Sequence, residues 1–211
     1  MARWPLERWA AAEPLAPPAG AAPGEITLAP YAAWEPRALP DPRGAGRETI
    51  GPALLEIVAT EGPMLAARAY ASYNRAAGGR KLTSIARAPL SSAAYRLRMA
   101  GAIELVGAGE TPGQDDDVLR LAGSPPVRVR ELGPRTLDEV PLDEVAELMR
   151  RLRDCGVAGH ADELKRAVLD AYGLVRLTAK ADEYLGQALA LSGRCGAAVP
   201  AALSASPQAS R

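Results

Sequence analysis

Phenylalanine is missing from this 211-residue chain, histidine occurs once and cysteine twice. Cys155 and Cys195 have no Cys-x-x-Cys partner and His160 is the sole imidazole. Sulfur and nitrogen therefore cannot supply the four ligands of a structural zinc site. Two widely separated thiols fit a reducing compartment, and the expected location is cytoplasmic. No apolar run approaches the roughly 20 residues that a membrane span needs. Met1–Ala12 mixes Arg3, Glu7 and Arg8 with Trp4 and Trp9 instead of forming an unbroken apolar segment, so no signal peptide is expected there.

The most local absence is of acid. Between Gly62 and Ile103 there is no Asp or Glu, while Arg68, Arg75, Arg80, Lys81, Arg87, Arg96 and Arg98 give the stretch seven positive charges. The whole chain balances 25 basic against 25 acidic residues, so the remainder is negative by the same amount. A basic middle in a neutral chain is the electrostatic footprint of a phosphate-binding face. Arginine abundance alone says less, because the excess of Arg over Lys, together with abundant Ala, Gly and Pro, is the bias of a GC-rich coding sequence.

Residues 1–48 are dense in Pro, Ala and Gly, which resist helix and strand alike, and read as an extended arm or linker. Its aromatics, Trp4, Trp9, Tyr31 and Trp34, are expected to dock on the chain's own core; a partner protein is the alternative. Residues 193–211, rich in Ala and Ser, read as a disordered tail.

Helical periodicity opens the domain expected over residues 49–125. Ile50, Leu54, Ile57 and Val58 share one face of a helix that Gly62-Pro63 stops. Leu65, Ala69, Tyr73 and Ala76 mark a second helix, ended by Gly78-Gly79. Thr83 is placed to cap a third with Ile85, Leu90, Ala94 and Leu97 inward, and Pro89 is expected to kink or split it. Ala102–Val106 and Val118–Leu121 then read as a β-hairpin. Three helices followed by a hairpin is the order of a winged helix-turn-helix; a three-helix bundle with an added hairpin is the alternative.

Residues 126–192 read as a second helical unit. Pro141 opens a helix with Leu142, Val145, Met149 and Leu152 inward, with Asp143, Glu144 and Glu147 early and Arg150, Arg151 and Arg153 late, as the helix dipole favours. Asp162 is expected to cap the next helix, which carries Leu164, Val168 and Tyr172 and ends at Gly173. Thr178 caps the last, with Ala181, Leu185 and Leu189 inward. Arg68-Ala69 followed by Arg80-Lys81-Leu82-Thr83 is echoed by Arg166-Ala167 followed by Arg176-Leu177-Thr178. The fold class expected is therefore mainly α: a winged helix-turn-helix with a small β-hairpin, then a degenerate winged-helix-like unit without one. Asp162, Glu163, Asp170, Asp182 and Glu183 interleave with the cations of that second unit, which suits assembly or a homodimer better than phosphate binding.

Several short motifs together resemble a known family. They are Glu61-Gly62-Pro63 after an apolar helix, the Arg-rich second helix, Gly101-Ala102-Ile103 closing the third, Glu139-Val140-Pro141 with Glu144, and Glu163-Leu164-x-Arg166-Ala167 leading to Gly173 and Arg176. The chain resembles, over about Tyr31 to Leu191, a largely uncharacterised winged-helix domain. That domain is found at the C-terminal end of large bacterial superfamily I helicase-like proteins and in stand-alone actinobacterial relatives. The resemblance implies association with DNA-processing machinery. The helicase motor is not part of this sequence, which has no Gly-x-x-x-x-Gly-Lys-Ser/Thr phosphate loop.

In a winged helix the third helix enters the major groove while nearby cations hold phosphates. The expected nucleic-acid-binding residues are Arg75, Arg80, Lys81, Arg87, Ser91, Ser92, Tyr95, Arg96 and Arg98; a solvated basic face accounts for the same charges. Gly107-Ala108-Gly109 to Gly113 has the wrong spacing for a dinucleotide loop and reads as a wing loop. Asp115, Asp116 and Asp117 read as a solvated acidic turn at the wing tip rather than a cation site. Cys155 and His160 lack a supporting constellation for nucleophilic chemistry. No catalytic residue, metal or cofactor is expected. The function expected is a non-enzymatic nucleic-acid-binding accessory to DNA-processing machinery. The alternative is a protein-interaction adaptor that docks a helicase or nuclease without binding DNA. A transcriptional regulator is a third option, requiring sequence-specific recognition and a two-fold dimer.

Overall fold

The computed structural model describes residues 26–107, 116–157 and 159–193. The expectations for Trp4, Trp9, the loop at 108–113, Asp115, Cys195 and the tail beyond Gly193 lie outside the described residues. Within them the chain is mainly helical, with six α-helices and one small antiparallel sheet. In order these are α1 (Arg47–Glu61), β1 (Met64–Leu65), α2 (Ala66–Ala76), α3 (Ser84–Met99), β2 (Ile103–Val106), β3 (Val118–Leu121), a 3-10 turn (Leu137–Glu139), α4 (Leu142–Asp154), α5 (Ala161–Ala171) and α6 (Ala179–Ser192). The sheet order is β1-β3-β2, with Ile103 opposite Leu121, Val106 opposite Val118 and Met64 opposite Leu119. The third strand, β1, was not legible as a strand, since Met64–Leu65 is too short to show an alternating pattern.

One hydrophobic core gathers the inner faces of α1, α2 and α3 over the sheet. Ile50, Leu54, Ile57 and Val58 meet Tyr70, Tyr73, Leu90, Leu97, Ile103 and Leu119 there. The helices form because apolar residues recur at helical spacing and their ends are satisfied locally. The Thr83 hydroxyl accepts from the Ala86 N–H at 3.3 Å, and Gly101, at φ 71°, turns the chain from α3 into β2. A second core is built from Val140, Val145, Leu148, Met149, Leu152, Leu164, Val168, Tyr172, Leu185 and Ala188 of α4, α5, α6 and their connections. Thr178 caps α6 as expected, its hydroxyl accepting from the Ala181 N–H at 3.2 Å.

Four local expectations are corrected. Ile85 does not face inward: it is 71% exposed, and Ala86, Ala93 and Ala94 join Leu90 and Leu97 on the buried face instead. Leu65 belongs to β1 and is half-buried outside the first core rather than part of α2. Pro89 does not split α3, which runs unbroken from Ser84 to Met99. The lost N–H deprives only the carbonyl of Ile85, a residue of the exposed first turn. Asp162 lies inside the first turn of α5; the capping position is His160, whose backbone N–H donates to the Glu163 carboxylate at 3.2 Å.

The chain before α1 fastens the two cores together. Ile26 and Leu28 pack against the second core, Ala29 bridges to Arg130, and Trp34 and Leu39 enter the first core. The Trp34 indole donates to Glu56 at 3.0 Å and the Leu39 N–H to the Ala76 carbonyl at 3.2 Å. Tyr31 and Trp34 thus dock on the chain itself.

Candidate nucleic-acid interface

Gly78, at φ 82°, reverses the chain after α2, and the Gly79 N–H donates to the Asn74 carbonyl at 2.8 Å. This tight turn carries Arg80 and Lys81, both exposed, to the start of α3, while Leu82 packs against the first core and anchors them. Arg75 is exposed in the last turn of α2 and donates to the Ser72 hydroxyl at 3.4 Å. Along α3, Ser92, Tyr95 and Arg98 are exposed, and Arg87, Ser91 and Arg96 are half-buried at the edges of its outer face. Arg96 donates to the Ser92 hydroxyl one turn earlier at 2.8 Å. All nine expected site residues therefore lie on α2, α3 and the turn between them. Two further exposed side chains that hydrophobic patterning had assigned to the interior or passed over, Ile85 and Met99 (69% exposed), share the outer face of α3.

The charge of this region differs from that of the rest of the molecule. Arg75, Arg80, Lys81, Arg96 and Arg98 make no ion pair among the described residues, whereas cations elsewhere are mostly matched. Arg37 pairs with Glu56, Arg43 with Asp41, Arg120 with Glu104, Arg150 with Glu147 and Asp154, Lys165 with Asp182 and Lys180 with Asp138. In the second unit Arg166 and Arg176 are exposed without an ion pair, but they share a groove with Asp170, so the charge there is mixed. Arg68 is a correction to the basic stretch read from sequence: it is buried and paired with Glu61 and Glu139, both at 2.8 Å, and adds nothing to the surface charge. The acidic wing tip is also corrected. Asp117 is buried where β3 begins and its carbonyl accepts from the Ala66 N–H at 2.8 Å, leaving Asp116 as the exposed member among the described residues.

Where the end of α1, the arm and α4 meet lies a buried ionic cluster that sequence patterning missed. Arg130, in the connection after β3, donates from one Nη to the carbonyls of Glu61 and Gly62 at 2.7 and 3.3 Å. Its other Nη donates to the Pro63 carbonyl at 2.8 Å and the Glu144 carboxylate at 3.0 Å. The last turn of α1 holds no basic residue, and the carbonyl of its final residue, Glu61, finds its cation in a distant segment. Arg135 grips both oxygens of the same Glu144 carboxylate at 3.0 Å. The Tyr31 hydroxyl donates to Glu61 at 2.6 Å, and its ring lies 4.4 Å below the Arg135 guanidinium. Burial alone would raise the Glu61 carboxyl, but the Tyr31 hydroxyl, the Trp34 N–H and Arg68 outweigh it and hold Glu61 below its ordinary value. Burial and the bond to Glu61 push the Tyr31 phenol up to about 12. This cluster fixes the first helical unit, the arm and the second unit against one another.

No group of His, Cys, Asp or Glu side chains among the described residues is arranged to hold a metal ion. Cys155 and His160 are both exposed near the connection between α4 and α5. No described helix is long and apolar enough to cross a membrane. Comparison with protein families, with curated proteins and with solved structures finds no match to this chain.

Proposed function

We propose that residues 47–121 are a winged-helix module that binds duplex DNA without catalysis, α3 facing the major groove and β2–β3 serving as the wing. The order of helices and strands, with β1 joining the far side of β3, supports this reading. The observation that carries it is the set of five cations, Arg75, Arg80, Lys81, Arg96 and Arg98, without carboxylate partners among the described residues, where most other cations are paired. Phosphates are the counter-charge such a face lacks. The second helical unit, with its mixed charge, acts in assembly, as a platform for a helicase or nuclease partner or for a second copy of this chain.

Exposed Ile85 and Met99 favour a second reading, in which α3 docks a protein partner and the module is an adaptor. Titrating the full chain with a fluorescent duplex separates the two. On the DNA reading the parent binds at low salt and an Arg80→Glu, Lys81→Glu variant binds at least tenfold more weakly, because each reversal sets a negative charge against a phosphate. A folded parent that binds no duplex at low salt overturns the DNA reading in favour of the adaptor.

A further inference from the structure

The geometry points to a specific way in which α3 reads its duplex: through apolar contact with the C5-methyl groups of thymine, not through hydrogen bonds to guanine or adenine. This rests on the DNA-binding reading above. The buried side of α3 is set by Ala86, Leu90, Ala93, Ala94 and Leu97. At about 100° per residue, the opposite side carries Ser84, Ile85, Ala88, Ser92, Tyr95 and Met99, and all six are exposed. None bears a charge, and none is one of the side chains that make paired hydrogen bonds to a base: Arg or Lys to guanine, Asn or Gln to adenine. The cations stand beside this stripe, Arg96 on one flank and Arg98 on the other, with Arg80 and Lys81 before the first turn.

A helix so divided fits a groove in which phosphates lie on both rims and base edges on the floor. Flanking guanidinium groups reach the rims and fix the helix in place without reading sequence. The central stripe meets the floor, where the one apolar group that DNA displays is the thymine methyl. Ile85, Ala88 and Met99 offer that methyl a partner, and Ser92, tied to Arg96 at 2.8 Å, offers a small hydroxyl that suits either base of a pair. The flanking charge is also what selects DNA over a protein as the occupant of this apolar face: a protein partner would have to bring carboxylates to both sides of a stripe one helix wide.

Replacing thymidine by deoxyuridine removes that methyl and leaves base pairing and phosphates unchanged. The test titrates the full chain, by fluorescence anisotropy, with an alternating A·T duplex and with the same duplex carrying deoxyuridine at every thymidine. The thymine duplex is expected to bind about three- to tenfold more tightly, the worth of one or two buried methyl contacts. An Ile85→Ala, Met99→Ala variant, altered at exposed positions, should fold like the parent and bind the two duplexes with nearly equal affinity. Equal affinity of the parent for both duplexes overturns the inference and leaves DNA binding standing. A preference undiminished in the double variant shows that Ile85 and Met99 do not meet the methyl and overturns it too. Absence of binding to either duplex removes the DNA reading and this inference together.

Discussion

Arg130 meets Glu144 at 3.0 Å with both side chains only 2% exposed. Arg130 reaches this position from the connection between the two helical units, and the same guanidinium donates to the carbonyl of Glu61, the last residue of α1, and to that of Pro63 just beyond it. One side chain thus joins the end of the first unit's opening helix to the start of the second unit's. Glu144 is needed twice, because Arg135 shares its carboxylate.

Glu144→Gln should therefore be severely destabilising. Removing one partner of a buried ion pair leaves the other charge uncompensated and costs about 3–5 kcal/mol, and here two guanidinium groups lose their counter-charge. Urea denaturation followed by circular dichroism measures the loss. A change below about 1 kcal/mol, the range of exposed pairs, would mean that the cluster is not closed to solvent.

The same cluster sets an acid limit. Glu61 is held below its ordinary carboxyl pKa, whose reference value is 4.5. A carboxylate depressed on folding contributes stability that is complete above the unfolded pKa and is lost as pH falls through the folded one. Unfolding free energy should drop below about pH 4.5, and Glu61→Gln should lower stability at pH 7 while flattening that acid limb. An acid limb as steep in the variant as in the parent would place the titrating group elsewhere.

Gly133 holds the arm close. It sits at φ 58°, and a Cβ there would stand 2.7 Å from the Tyr31 ring. Gly133→Ala should cost at least about 1 kcal/mol and raise the rate at which a protease cuts between Ile26 and Ala45. Parental protease resistance would show that Tyr31 is not what fastens the arm.

Two residues of α3 should respond in opposite ways. Leu90 is fully buried in the first core, and Leu90→Ala should cost about 2–5 kcal/mol. Ile85, at 71% exposure, should change stability by less than about 0.5 kcal/mol when cut to Ala. Thermal unfolding of both variants checks the orientation of the helix, and equal losses would mean that α3 is rotated.

These pairs also show what the sequence can and cannot disclose. Helix positions followed from spacing, because Ile50, Leu54, Ile57 and Val58 in α1 and Leu90, Ala94 and Leu97 in α3 recur at intervals that leave one face apolar, and the hairpin followed from two short apolar runs about a turn-rich loop. Ile85 misled for the same reason: periodicity counts apolar residues without knowing which are displayed. Pro89 misled because its cost depends on which carbonyl loses a donor, and the exposed first turn can spare one. The nine cationic and polar candidates lie together because they are contiguous in the chain. Arg130, Arg135, Glu144 and Tyr31 are far apart in sequence and have no periodic signature, so their convergence was hidden. Arg68 looked like its basic neighbours, and only its distance to Glu61 separates a buried tie from a surface charge.

Arg75, Arg80, Lys81, Arg96 and Arg98, unpaired among the described residues, are proposed to meet phosphate. The measurement that tests this is the salt dependence of duplex binding by the full chain, with each cation replaced in turn by Ala. If all five make phosphate contacts, log affinity should fall against log salt with a slope of about −4 to −5, and each replacement should flatten it by about 1. Binding that ignores salt, or a slope unchanged by loss of Arg80 and Lys81, would contradict the account.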